Sequence, residues 1–518
     1  MCLSLSDYRK RKSVGIKSLI WHSLYKHSPD RLLVVPSDTM AGHAAQSLLQ
    51  MLRAARQTHL RFISGTLSHG EYPIYVIGNS SADLDSMVCA LVYSYFANRT
   101  SRRHIPLINL PTVPSGAELR RLRPEFVKAL WISTNTADQL WEETPESAGP
   151  LLRDHILTVA DFEQDLEHQH RGSNDQPRHH RTADAVLVDW NALPIRSSAD
   201  GPHGTGRLDG LPSVEFSVVG CIDHHVDEGF LGPNCHPLVI EKAGSCSSLV
   251  TNTLNTMGLW RTPSPTDSNA SSKEERQLAL LAMAPLLIDT VNMTATDKVT
   301  SADTLARDFL RQTLASADDS NGPTDPSALD LYYAQIQETK QNSLDLLTVD
   351  EILDRDYKQW TETSHLRPDQ PVNIGFCSMV KSIPWIVRKA GTAEAFLDSL
   401  RGFAEQRDLD IVVVMTAFNA SVREGAFMRE LLVCARDEGV AVHALRDLEA
   451  RSRSQLQLQE WEALDGADAD KTQSIRDVLS GDQALWRRIW VQGDVTKSRK
   501  QVAPLVREAV TSPVGDRL

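Results

Sequence analysis

Residues 72–86 read Tyr72-Pro-Ile-Tyr-Val-Ile-Gly78-Asn79-Ser-Ser-Ala-Asp83-Leu-Asp85-Ser86. An apolar run of strand length ends in an oxygen-rich turn, and the apolar stretch after it has the length of a buried helix. We therefore predict a strand over 72–79 and a helix over 85–98, the opening of a βαβ unit. Asn79, Asp83 and Asp85 would bring three oxygen donors to one point at the strand's carboxyl end. Hard-cation sites are built in this way.

Three more apolar, strand-like runs close on acids or histidines: Ala185-Val-Leu-Val-Asp189-Trp-Asn191, Val218-Val-Gly-Cys-Ile-Asp223-His224-His225 and Ala284-Pro-Leu-Leu-Ile-Asp289-Thr-Val-Asn292. In an open α/β sheet, ligands collect outside the carboxyl ends of the strands, so the four ends are expected to converge on one site. Taken singly, Asp189 or Asp289 could as well be the N-cap of a following helix. The four together, in this order, have no equally simple structural explanation.

Around these ends the pattern continues with a strand at 105–110 and a helix at 118–130, an alternation that implies βαβ units and a parallel sheet between about residues 44 and 340. A second α/β domain is expected over 343–518. There Thr348–Asp356 reads as a capped helix start, Val372–Val380 and Leu409–Phe418 as strands, and Ala393–Gln406 and Gly425–Glu438 as helices. The basic run Lys497-Ser-Arg499-Lys500-Gln501 precedes a last helix near 504–511.

Residues 1–43, with Arg9-Lys-Arg-Lys12, Lys17 and Lys26, are unlike the rest. They read as an N-terminal extension, the alternative being an organellar presequence. Glu163–Asp184, Pro194–Pro212, Arg261–Lys273 and Ala315–Ala328 are polar or rich in Gly and Pro, and are expected to be solvated insertions. The first carries His168, His170, His179 and His180, for which a metal site is the less favoured reading.

The chain has 518 residues, 41% of them apolar, enough for two to four domains. A formal net charge of −13 argues against a broad nucleic-acid-binding surface. Any anionic substrate would need a focused basic patch instead. The longest apolar stretch, Leu278–Val291, is interrupted by Pro285 and Asp289 and falls short of the roughly 18–20 residues of a membrane span. Seven scattered cysteines fit the reduced, packed thiols of an intracellular protein rather than a disulfide framework, and with residues 1–43 read as an extension the expected location is the cytoplasm, a mitochondrial one being the alternative. Cys221, two residues before Asp223, is expected to be a core residue and not a nucleophile.

The series Asn79-x-x-x-Asp83-x-Asp85-Ser86, Asp189, Asp223-His224-His225, Asp289 resembles the four-motif signature of the DHH phosphoesterase superfamily. Lys497-Ser-Arg-Lys-Gln-Val-Ala-Pro504 is similar to the phosphate-binding motif of its C-terminal DHH-associated domain. Together these cover roughly residues 44–510. Family II inorganic pyrophosphatases begin the first motif with Gly-His, whereas this chain has Gly78-Asn79, as fungal-type exopolyphosphatases do. Ile105-Pro-Leu-Ile-Asn-Leu110, Leu122-Arg-Pro-Glu125, Ala243-Gly-Ser-Cys246 and Asp356-Tyr-Lys-Gln-Trp360 also resemble that branch.

The resemblance implies an α/β chain with a parallel-sheet DHH domain at 44–340, a smaller C-terminal phosphate-binding domain at 343–518, and an active site in the cleft between them. It implies two divalent ions, Mg²⁺ or Mn²⁺, one held by Asn79, Asp83 and Asp189 and the other by Asp85, Asp189, His224 and Asp289. Asp223 would orient an imidazole. His225, Arg499, Lys500 and Lys381 would contact phosphate, and His225 could donate toward the leaving oxygen. The implied activity is release of terminal phosphate from inorganic polyphosphate, with neither nucleic acid nor membrane as partner. Alternatives are an inorganic pyrophosphatase, a prune-type hydrolase of short polyphosphates or nucleotides, or a non-catalytic scaffold on the same fold.

Overall fold

In the computed structural model, the described residues are 47–134, 149–171, 181–197, 203–261, 273–315, 326–345, 347–364, 368–369, 371–420, 425–436, 439–463, 469–481 and 486–511. Residues 1–43, His179, His180 and most of the expected insertions at 261–273 and 315–328 lie outside them. Residues 46–518 form one compact unit built on two large sheets.

The first sheet has the strand order β2 (His104–Leu107), β1 (Ile74–Ile77), β3 (Arg181–Val188), β6 (Leu211–Asp223), β5 (Thr205–Leu208), β4 (Ile195–Arg196), with β7 (Leu238–Ile240) also on β6. β2, β1, β3, β6 and β7 run parallel, and β4 and β5 add an antiparallel edge. The expected parallel sheet is thus its larger part, from the β2 edge to β6 and β7. Ile77 pairs with Leu187 and Val188 with Ile222, so the carboxyl ends of β1, β3 and β6 lie side by side. Register alone brings Asn79, Asp189 and Asp223 to one edge.

Helix Leu84–Ala97 is buried along its whole length, packed on helices Cys246–Thr256 and Lys273–Asp289. This explains its continuous apolar sequence, since a helix covered on every face needs no polar stripe. Gly78 lets it start this close to β1: a Cβ there would sit 2.7 Å from Ser86 Cβ.

One of the four expected strand ends is different. Ala284–Asp289 is the last part of helix Lys273–Asp289, which begins with Glu274 and Glu275 and carries Pro285 inside. A short apolar run does not reveal its period, and length has to arbitrate; the apolar run begins at Leu278, too long for an average strand. The chain leaves this helix through Val291, Asn292 and Met293, all at positive φ, and so reverses directly after Asp289. Likewise, the helix expected over 118–130 is broken at Arg123 into Ala117–Leu122 and Pro124–Ser133, with Pro124 at the start of the second piece.

The second sheet has the order β14 (Leu458–Glu460), β15 (Trp486–Gln492), β13 (Glu430–Ala435), β10 (Ile411–Thr416), β9 (Pro371–Met379), β8 (Tyr357–Thr363). The helix expected at Gly425–Glu438 is instead β12 (Ala426–Met428) and β13. Leu431-Leu-Val-Cys-Ala435 would serve a helix, but here it is buried between β10 and β15, and cross-strand packing overrides propensity. The capping box Thr348-x-x-Glu351 forms as expected. The last helix begins at Arg499, earlier than expected, and runs to Thr511, so the basic pair lies in its first turn. Ser498 N and Oγ both donate to Gln501 Oε1 at 2.9 Å, and the Ser-x-x-Gln spacing is itself a helix-start signal.

Among the described residues six cysteines, Cys221 one of them, are buried and free. Burial pushes the Cys221 thiol up, as expected for a core residue. Among the described residues no helix is long and apolar enough to cross a membrane.

Candidate metal centre

Asp189 is the centre of the arrangement. It follows β3, is 2% exposed and adopts φ +63°, a conformation unusual for a residue with a side chain. Its backbone N–H donates to Ile222 O at 3.0 Å. Oδ2 accepts from Asn79 Nδ2 at 2.8 Å and Ser86 Oγ at 2.7 Å. Oδ1 is buried without a well-directed hydrogen bond, 3.1 Å from His224 Nε2 and 3.7 Å from His225 Nδ1. Burial favours the neutral acid, but the His224 contact and the two imidazoles outweigh it and hold Asp189 well below the usual carboxylate range.

The two imidazoles are fixed differently. His224 Nδ1 lies 3.0 Å from Ala243 O, which only an N–H can satisfy, so the lone pair of the neutral ring is on Nε2, facing Asp189. Burial lowers the His224 pKa, but the close contact with Asp189 and its charge win and raise it to about 9. His225 Nδ1 donates to Asp223 Oδ1 at 2.8 Å. Asp223 is fully buried and also accepts from the N–H groups of His224 and His225, while Asn191 Nδ2 reaches its other oxygen. Burial, with Lys358 adding to it, lowers the His225 pKa. Its Nε2 therefore carries the lone pair near neutral pH.

Asp83 caps helix Leu84–Ala97 by accepting from Ser86 N at 3.0 Å. Its carboxyl group touches solvent, yet the crowding protein and the Asp189 charge raise its pKa. Asp85, in the first turn, accepts from Ser245 Oγ, Cys246 N and Ser247 N at 3.0, 2.6 and 2.9 Å. Even so, burial followed by the charges of Asp189 and Asp289 pushes it well up. Burial raises Asp289 to about 6, and the Asp83 charge adds to that. Asp289 ends its helix, where the macrodipole also disfavours an anion. Four carboxyl groups thus act on one another beside two histidines. The raised values of three of them and the orphaned Oδ1 of Asp189 fit residues arranged for divalent cations.

One ligand differs from expectation. Asn79 Oδ1 accepts from Ser81 N at 2.9 Å while Nδ2 donates to Asp189 O and Oδ2. The donor on Ser81 fixes the orientation of the amide, and it is the nitrogen that faces the cluster.

Basic groups come from the first turn of the last helix. Arg499 Nη2 donates to Asp356 Oδ1 at 2.8 Å, and Nη1 to Asp356 O at 2.9 Å and Ser378 Oγ at 3.3 Å. Exposed Lys500 brings Nζ within 3.3 Å of His224 Nε2. Lys381 lies apart from this pair. It lines a cavity of about 410 Å³ that shares Asp289 with the cluster and holds Lys298, Lys340, Arg388 and Arg429, with Trp385, Phe418 and Phe427 between them.

Several supporting residues carry no role in the sequence reading: Ser86 on Asp189, the Ala243 carbonyl on His224, Ser245 to Ser247 on Asp85, Asn191 on Asp223, and Lys358, whose charge acts on Asp189, Asp356 and Asp83. Ala243-Gly-Ser-Cys246 and Asp356-Tyr-Lys-Gln-Trp360 mark two of these places in the sequence.

The family model described as "DHHA2 domain" matches residues 334–509. Over those residues the chain is similar to a DHHA2 domain. That match contains Arg499 and Lys500, together with every strand of the second sheet. Over 86% of this chain and 93% of its own length, a Schizosaccharomyces pombe protein named "Putative exopolyphosphatase" is 28% identical. "Exopolyphosphatase PRUNE1" of Bos taurus is 24% identical over 85% of this chain and 76% of its own. A crystal structure from Methanococcus jannaschii, named as a "putative family II inorganic pyrophosphatase", aligns with 84% of this chain and 99% of its own at 15% identity and a TM-score of 0.44. Both named exopolyphosphatases extend well N-terminal of the DHHA2 domain, across the segment that carries the acidic cluster.

Proposed function

We propose that this chain is a divalent-metal-dependent exopolyphosphatase that removes terminal orthophosphate from inorganic polyphosphate. The observation that carries the reading is Asp189: a buried carboxylate whose Oδ1 has no well-directed donor, grouped with His224 and His225 so that the three could hold one ion, with its charge acting on Asp83 and Asp85 and with Lys500 3.3 Å from His224. The similarity to proteins named exopolyphosphatases supports it. We read residues 44–340 as a DHH domain and 343–518 as the phosphate-binding domain, with the site between them.

Asp83, Asp85, Asp189, His224 and Asp289 would hold two divalent ions, Mg²⁺ or Mn²⁺, with Asp189 shared. Asn79 would act through Asp189, holding one carboxylate oxygen so that the other stays directed at the cluster. When bound, such ions polarise phosphoryl oxygens and lower the pKa of water. Arg499, its guanidinium set by Asp356, and Lys500 bind the phosphate oxygens, the first as a directional fork and the second as a point charge. His225, held by Asp223, takes or delivers a proton at Nε2. The cations of the adjoining cavity give an acidic protein the local positive field that a polyanion needs.

Phosphate release from long-chain polyphosphate, tripolyphosphate, pyrophosphate and a cyclic nucleotide, measured side by side with Mg²⁺ and with Asp189→Ala as control, tests the proposal. Turnover of polyphosphate but little of pyrophosphate, lost in the variant, is expected. Preference for pyrophosphate or the nucleotide would move the chain to the pyrophosphatase or prune-type reading. Absence of all turnover would favour a binding scaffold.

A further inference from the structure

Arg123 is 3% exposed and sits at the break between helices Ala117–Leu122 and Pro124–Ser133. Its Nε donates to Ala82 O at 2.8 Å, and Nη2 donates to both Ser81 O and Arg355 O. Ser81 and Ala82 form the turn between Asn79 and Asp83, with Ala82 at φ +43°. Arg355 immediately precedes Asp356, whose Oδ1 accepts from Ser81 Oγ at 3.3 Å and from Arg499 at 2.8 Å. One guanidinium thus ties the acidic turn to the segment that aims Arg499.

The other side of the tie is also anchored. Arg355 Nη2 donates to both oxygens of buried Glu125 at 2.8 and 2.9 Å, and its Nη1 donates to Ser343 Oγ. Burial brings Arg123 down to about 10, so it remains a cation near neutral pH. A group needed only to fill this space would be apolar, since a buried cation is costly unless its donors are used. Only the planar fork reaches three carbonyls from two segments at once.

Resting on the phosphate-hydrolase reading of the site, we propose that Arg123 is a positioning residue: it sets Arg499 in register with the Asn79–Asp83 turn, so that phosphate is bound where the metal ligands converge. Ser81 Oγ on Asp356 makes the same connection a second time. A residue acting in this way changes phosphate affinity only while Arg499 is present to be positioned. A residue that merely packs affects every variant alike.

The test is a double-mutant cycle on the full chain with Arg123→Lys and Arg499→Met. It is read as the affinity for inorganic phosphate in the presence of Mg²⁺ by calorimetry, and as KM against kcat for polyphosphate. Lys keeps the charge but cannot span the three carbonyls. We expect Arg123→Lys to weaken phosphate binding and raise KM by about tenfold, with kcat changed less than about threefold. In the Arg499→Met background it should cost less than about twofold, the non-additivity of two groups acting through one contact. Arg123→Met, where thermal melting shows it folded, should lose more than Arg123→Lys. Equal losses in both backgrounds, or a lowered Tm with unchanged phosphate affinity, overturn the proposal. If the parent protein binds phosphate yet hydrolyses no phosphoanhydride, the proposed function fails while the cycle still decides the role of Arg123. A parent that binds no phosphate overturns both.

Discussion

His224 and Asp189 face each other across 3.1 Å, Nε2 to Oδ1, while Nδ1 of the same ring is held at 3.0 Å from the carbonyl of Ala243. The second contact fixes which nitrogen is offered to the cluster, and the Asn79 and Ser86 bonds fix which carboxylate oxygen meets it. Replacing Asp189 by Asn keeps those two donors beside an oxygen but removes the charge. Tight Mn²⁺ binding, followed by calorimetry and elemental analysis, is expected to fall by at least one ion per chain, with polyphosphate hydrolysis down about a hundredfold or more. Full metal loading in Asp189→Asn would sink the assignment of Asp189 as the shared ligand.

Asp223 has a different task, since its Oδ1 gathers three N–H groups from His224 and His225 and its other oxygen meets Asn191. Asp223→Asn is expected to leave metal stoichiometry intact and lower kcat by about 10–100-fold, the usual cost of losing the partner that orients a histidine. Steady-state kinetics beside metal analysis separates the two effects. Loss of both ions would place Asp223 among the metal ligands instead.

The strand ends of the first sheet were legible because each is a buried parallel strand followed by a polar turn, and register does the rest. Asp289 was legible as a neighbour of the other acids but not in its structure. Its apolar run has no period that separates strand from helix, and only the long covering helix settles the matter. The reverse occurred at Leu431–Ala435, where local composition favours a helix and neighbouring strands decide otherwise. Ser498-x-x-Gln501 was readable as a helix start and would have placed Arg499 in the first turn. Contacts such as Arg123 with Ser81, Ala82 and Arg355 join segments far apart in the chain, and no local pattern encodes them.

The cavity beside Asp289 should sense chain length. On the proposed function, a short substrate would need the cluster, Arg499 and Lys500, whereas a long one would also reach Lys381, Arg388 and Arg429, which line the cavity. Arg388→Glu is expected to raise KM for long-chain polyphosphate about tenfold and to change that for pyrophosphate by less than about twofold. The long-chain value should also rise more steeply with salt, as expected for distributed charge. Equal effects on both substrates would show that the cavity does not hold the trailing phosphates.

Away from the site, His104 ties stability to pH. It is 6% exposed at the start of β2, its Nδ1 lies 3.1 Å from Arg102 O, and burial lowers its pKa to about 4. The unfolded chain binds a proton near pH 6.5 and the folded one does not. The contribution of neutral His104 is therefore complete above about pH 6.5 and is lost progressively as pH falls toward 4. Between pH 7.5 and 5 the wild-type protein is expected to lose about 2 kcal/mol more than His104→Phe, which retains an aromatic edge toward Tyr93. Buried His59 is also held low and contributes with the same sign in both proteins, so the difference between them isolates His104. Urea unfolding at the two pH values measures it, and parallel losses in the two proteins would mean that His104 keeps its proton on folding.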